Sequence, residues 1–190
     1  MLIYVSAGNQ PVKPLAGWDA IFAKHKLIYA SASGTGNDQP DLRRMALSLD
    51  AVATLRKEFK IDPARLYVSG ISGGGAISHY MAVSYPEIAG AIDCCRGSAV
   101  ISPYTYPFLT PASAQAVARR GQRFGFVSGP KDMNFKTMQA HLPEWKKYGF
   151  DIAFFSRDEQ GHHPPPAELF EEAVAWATAG KRRDGAEKKK

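Results

Sequence analysis

An α/β sandwich on a mainly parallel sheet of about six strands is the fold class this sequence predicts, and three observations predict it. Short β-branched or aromatic runs alternate with stretches of helical apolar periodicity, the pattern of repeated βαβ units. One such run, Leu66-Tyr67-Val68-Ser69, passes directly into Gly70-Ile71-Ser72-Gly73-Gly74-Gly75 and then into a helical stretch. The length, 190 residues, suits one compact core rather than two. A single domain over residues 1–180 is expected, followed by a basic, disordered tail over 181–190.

The elements follow in order. Leu2–Ser6 reads as a buried first strand, Leu15–His25 as a helix and Leu27–Ala32 as a second strand. Gly34-Thr35-Gly36-Asn37-Asp38 then breaks the chain with turn-forming residues, which makes it a loop at a strand's carboxyl end. From Asp41, the apolar residues Leu42, Met45, Ala46, Leu49, Val52, Ala53 and Phe59 recur at three- and four-residue steps and predict a long amphipathic helix. Arg65–Ser69 is the third strand, and a helix from about Ala76 to Ser84 is stopped by Pro86. Ile88–Ile92 is a fourth strand. The Pro-, Ser- and Tyr-rich stretch from Gly97 to Pro111 reads as an excursion above the sheet. Phe124–Ser128 and Ile152–Ser156 are the last strands, with helices over Lys136–Tyr148 and Pro165–Ala177.

Composition narrows the function classes. The formal charge is +6, but the tail from Lys181 to Lys190 holds six basic residues against two acidic ones and so supplies most of it. No basic stripe interleaved with aromatics occurs elsewhere, and a nucleic-acid partner is not expected. No apolar run reaches the roughly 18 residues of a membrane span, and Met1–Val5 is too short for a signal peptide's apolar stretch. The expectation is a soluble chain, cytoplasmic by default and secreted if its start is truncated. The two cysteines, Cys94 and Cys95, are adjacent and form no disulfide framework.

The chemistry-bearing motif is Gly70-Ile71-Ser72-Gly73-Gly74. A G-x-S-x-G between strand and helix is a nucleophile elbow: the serine sits at a strained turn, and its glycine neighbours admit close backbone approach. Against this stands a plain glycine-rich turn; a P-loop is disfavoured because no Gly-Lys-Ser/Thr follows. A serine hydroxyl needs a base, and Gly161-His162-His163, between the last strand and the last helix, supplies one. His162 is the expected base, with His163 the alternative. His25, His79 and His141 fall in predicted helices as surface or packing residues. An acid must orient the imidazole, and the order Ser, acid, His points to Asp132 after the fifth strand; Asp158 and Asp93 are the runners-up. Gly73 N–H is the expected first oxyanion donor, and Gly8 or Asn9 in Ala7-Gly8-Asn9-Gln10 the second. Asn37, Trp18 and Tyr104 are candidates for lining a substrate pocket.

The segments Ile61–Gly75, Ser84-Tyr85-Pro86-Glu87, Ser128–Asn134 and Gly161-His162-His163-Pro164-Pro165 together resemble bacterial α/β-hydrolases related to the feruloyl-esterase and polyhydroxybutyrate-depolymerase-like carboxylesterases. The resemblance implies an α/β-hydrolase three-layer sandwich lacking the usual two N-terminal strands. It also implies a Ser72–Asp132–His162 triad, an acyl-enzyme on a small-molecule ester, and no metal or cofactor. A peptidase or thioesterase using the same triad, and a non-catalytic relative keeping only the elbow's shape, are the competing readings.

Overall fold

The structure is a computed structural model and describes residues 1–100 and 109–180. Six strands form one sheet: β1 (Leu2–Val5), β2 (Tyr29–Ser31), β3 (Leu66–Ile71), β4 (Ile88–Cys94), β5 (Arg123–Ser128) and β6 (Asp151–Ser156). Their order is β2-β1-β3-β4-β5-β6, and every neighbouring pair is parallel. Consecutive parallel strands require crossovers, which the helices α1 (Trp18–Lys24), α2 (Asp41–Glu58), α3 (Gly73–Ser84), α4 (Pro111–Ala118) and α5 (Phe135–Lys147) provide, and α6 (Ala167–Thr178) follows the last strand.

Strand alternation splits the core into two layers. Leu2 and Tyr4 pack with Trp18, Phe22, Leu169 and Phe170 on the side of α1 and α6. Ile3 and Val5 pack with Met45, Ile77, Met81 and Met138 on the side of α2, α3 and α5. Both faces are thus covered, which is why the inner strands read as continuous apolar runs rather than alternating ones.

Several sequence expectations change in the folded chain. Trp18 does not line a pocket: it is fully buried, with its ring stacked 3.8 Å from Phe170 and edge-on to Tyr4. Along α2, Met45 and Val52 are buried, whereas Leu42 and Phe59 are exposed, 75% and 48% respectively. The place of two apolar residues on that inner face is taken by Arg44 and Ser48, both buried. α3 starts at Gly73, three residues earlier than expected, and α4 was unanticipated. Its signal is Thr110-Pro111-Ala112-Ser113, a reciprocal Thr110–Ser113 cap with proline in the first turn. Tyr104 and the 181–190 tail lie outside the described residues.

Candidate active site

The elbow is built by backbone crowding. Ser72 follows β3 at φ 55, ψ −123, a region that costs a non-glycine residue energy and persists only where the surroundings enforce it. Its N–H is held by the Cys94 carbonyl at 2.8 Å, extending the β3–β4 ladder past the end of the strand. A Cβ on Gly70 would come 2.5 Å from the Gly74 backbone, and one on Gly74 would overlap the Val5 carbonyl. The flanking glycines are therefore demanded by the approach of β1, β3 and α3 to one another. The turn delivers Ser72, half-buried, to the N-terminus of the 12-residue α3, the positive end of its dipole.

Asp132 and His162 lie on the loops after β5 and β6, which a parallel bridge between Lys131 and Gly161 ties together. Asp132 Oδ1 and His162 Nδ1 are 2.8 Å apart. Ser128 Oγ donates to Asp132 Oδ2 at 2.5 Å, and Asn134 N–H donates to Oδ1 at 3.1 Å. Burial works to raise this carboxyl, but the hydrogen bonds from Ser128, His162 and Asn134 outweigh it and hold the group below the usual carboxylate range. A carboxylate held charged against Nδ1 can fix the orientation of an imidazole and leaves Nε2 as the ring nitrogen able to exchange a proton. Among the described residues no hydrogen bond yet joins the Ser72 hydroxyl to His162; such bonds commonly tighten only around substrate. His163 instead turns its Nδ1 toward the Pro164 carbonyl at 3.0 Å and accepts Gly161 N–H on Nε2 at 3.2 Å, which gives it a loop-closing role.

Of the runner-up acids, Asp93 is fully buried beneath the site. It accepts Arg96 N–H at 3.1 Å and Gly97 N–H at 2.7 Å, and lies 3.2 Å from His79 Nε2. Burial pushes Asp93 up to about 7 and His79 down to about 3, so this pair favours its uncharged forms.

On the opposite wall, Gly8 N–H is already committed to Ser6 Oγ at 3.0 Å. The Asn9 side chain donates to both Asp38 carboxylate oxygens and accepts Gly36 N–H at 3.1 Å, so it ties the loop after β1 to the loop after β2. Asn37 is exposed, and its side-chain amide lies where a Cβ on Gly73 would be, directly against the elbow. Buried Arg44 locks this wall by donating to the Thr35 carbonyl at 2.7 Å and the Ser6 carbonyl at 3.3 Å.

Four positioning residues escaped the sequence reading: Arg44, Cys95, Ser128 and Gln160. Cys95, at φ 62, points Sγ at the Gly161 carbonyl, 3.3 Å away, and its own carbonyl accepts Asn134 Nδ2 at 2.8 Å. Gln160 donates to the Gly161 and His163 carbonyls at 2.8 and 2.7 Å. A polar residue beside each catalytic candidate was the available signal, but loop residues of that kind are too common to single out. A cleft of about 600 Å³ lies at the far end of the sheet, against the first residues of β5 and β6, away from Ser72.

No family model matches this chain. A poly(3-hydroxyalkanoate) depolymerase C from Paucimonas lemoignei is 30% identical over 140 residues, which span 61% of this chain and 33% of the depolymerase, about a third of that protein's length. Among solved structures, an esterase from Rhizomucor miehei aligns over 94% of this chain and 73% of its own, with TM-score 0.68 and 11% identity. The Zea mays acyl-protein thioesterase 2 aligns over 94% and 92%, with TM-score 0.59 and 19% identity. Est1E from Butyrivibrio proteoclasticus, also solved with ferulic acid bound, aligns over 91% and 84%, with TM-score 0.60 and 14% identity. Among the described residues no helix is long and apolar enough to cross a membrane. The strand order and these likenesses together give the chain the α/β-hydrolase fold.

Proposed function

We propose that the chain is a serine hydrolase of carboxylic esters working through Ser72, His162 and Asp132. The observation that carries this reading is the Asp132–His162 contact of 2.8 Å, on loops bridged to each other and following strands of the same sheet that ends in the strained Ser72 turn. His162 Nε2 takes the Ser72 proton as Oγ bonds to the ester carbonyl carbon. The carbonyl oxygen becomes an oxyanion facing Gly73 N–H, with the backbone N–H of Asn9 as the second donor and Asn37 bordering the acyl group. Collapse breaks the bond to the alkoxy oxygen, which leaves with the proton from His162, and water activated by the same histidine releases the acid from Ser72.

The match to the depolymerase and the likeness to esterase structures favour an ester; the likeness to a thioesterase makes thioesters the second substrate class. Fluorophosphonate labelling of the native chain, Ser72→Ala and His162→Ala tests the reading. Labelling at Ser72 is expected in the native chain and lost in both variants, and ester turnover exceeds that of matched thioesters and amides. An unlabelled but folded native chain would overturn it in favour of a non-catalytic relative.

A further inference from the structure

The proposed mechanism makes no use of a thiol, yet the structure holds one beside its acid and base. Cys95 Sγ, an Asp132 carboxylate oxygen and a His162 ring nitrogen all lie within 4.8 Å of one another. We propose that Cys95, Asp132 and His162 form an inhibitory site for a soft divalent metal ion of the Zn2+ class, which blocks hydrolysis by taking the histidine away from its acid and from Ser72.

Three properties support it. The first is reach: an ion centred among three atoms so spaced is within about 2.8 Å of each, and small side-chain rotations close that to the roughly 2.0–2.3 Å of zinc bonds to nitrogen, oxygen and sulfur. The second is charge: a thiolate and a carboxylate offset the two positive charges of the ion. That matters because Cys95 and Asp132 are buried, while the His162 side chain, 26% accessible, offers the way in. The third is the backbone. Cys95 stands at φ 62, a conformation that glycine or asparagine adopts at less cost, and Asp93 stabilises the turn by accepting the N–H groups of Arg96 and Gly97. That turn holds Sγ beside the loop that carries His162, 3.3 Å from the Gly161 carbonyl.

The thiolate selects zinc-like ions over magnesium or calcium, which take oxygen ligands. The ligand is the thiolate, so near pH 7 metal binding drives off the thiol proton, and one proton passes to the buffer for each ion bound. A water molecule would complete four-coordination. Binding needs only the three side chains. Inhibition rests on the reading of His162 as the base.

The test titrates the full chain with Zn2+ by calorimetry in buffers of different ionisation enthalpy, and with Co2+ while recording the near-ultraviolet thiolate-to-cobalt charge-transfer band. One ion per chain with proton release is expected, together with a band lost in Cys95→Ala and Cys95→Ser. The band should persist in Cys94→Ala, whose thiol packs in the opposite core layer with Leu2 and Tyr4. Since the chain has two cysteines, retention in Cys94→Ala identifies the ligand even if the Cys95 variants do not fold. Zn2+ is expected to abolish fluorophosphonate labelling of the native chain, and a chelator to restore it. The site is overturned if the folded native chain gives no band, if the band survives in either folded Cys95 variant, or if it vanishes in a folded Cys94→Ala. Binding without loss of labelling overturns the inhibition alone; binding by a chain that never labels leaves the metal site standing and sinks the hydrolase reading.

Discussion

Replacing Ser128 by alanine isolates the device that keeps Asp132 charged. The Ser128 hydroxyl donates to Asp132 Oδ2 at 2.5 Å, and Ser128 is fully buried, so no water replaces it without rearrangement. A hydrogen bond to an ionised group contributes about 1.5–3 kcal/mol, and Ser128→Ala is expected to lose about that much stability at pH 7. The pH dependence is the sharper signature. Because the folded Asp132 pKa is depressed, its stabilisation is present above the unfolded value of about 3.9 and is lost as pH falls through the folded value. Without Ser128 the carboxyl moves back up toward the usual range, so the stability gap between native chain and variant is full above about pH 5 and narrows as pH falls below the unfolded value of about 3.9. Urea unfolding followed by fluorescence across that range reads both quantities. At pH 8 the carboxylate stays charged in either protein and still holds His162 Nδ1, so kcat/KM on an ester should fall less than about tenfold, equivalent to about 1.4 kcal/mol. A gap of the same size from pH 3.5 to pH 8, or no gap at all, would refute the assignment of this hydrogen bond as the support of the charged acid.

Two further outcomes follow from buried geometry. Gly74→Ala puts a methyl group into the Val5 backbone carbonyl, which cannot rotate away; a loss of about 3 kcal/mol or more, or failure to fold, is expected on thermal unfolding. Gly73→Ala first meets the movable Asn37 side chain, so it should unfold near the native temperature while labelling by fluorophosphonate slows. The His79–Asp93 pair gives a second pH test. Asp93, raised to about 7, adds stability below its unfolded pKa that is lost as pH rises; His79, lowered to about 3, adds stability above its unfolded pKa that is lost as pH falls. The two offset each other between about pH 4 and 6.5, where folded and unfolded pairs each hold one proton. In Asp93→Asn only the histidine remains, so between about pH 6.5 and 4 the variant should lose about 1.4 kcal/mol relative to the native chain for each unit that the pH falls; parallel curves over that range would contradict the pairing.

The parts of this protein that were legible beforehand are those governed by neighbours in the chain. Gly70, Ser72 and Gly74 announce the elbow because a strained turn between strand and helix admits few residue types. Asp132 and His162 could be chosen because chain order and loop position restrict the candidates, and the structure brings their side chains to 2.8 Å. Asn37, expected to line a substrate pocket, has its side chain against Gly73.

Side-chain periodicity was a weaker guide. Leu42 continues the apolar spacing of α2 yet is exposed, whereas Arg44 in the same turn is buried, where it donates to two loop carbonyls, Ser6 and Thr35. Neither fact is encoded within the helix itself. Trp18 had the size and polarity of a pocket residue, and only the return of α6 across the sheet, 150 residues later, stacks Phe170 on it.

By itself, then, the sequence determined the α/β layering and the elbow, and it supplied the serine, histidine and aspartate on which the proposed function rests, since each depends on local conformational preference or on order along the chain. Tertiary structure alone decided what surrounds them: Ser128 beneath Asp132, Gln160 and Cys95 bracing the Gly161 carbonyl, and Gly8 N–H turned to Ser6. The bracing contacts are the clearest case, because Cys95 and Gly161 come from loops 66 residues apart that meet only once β4, β5 and β6 have paired in register.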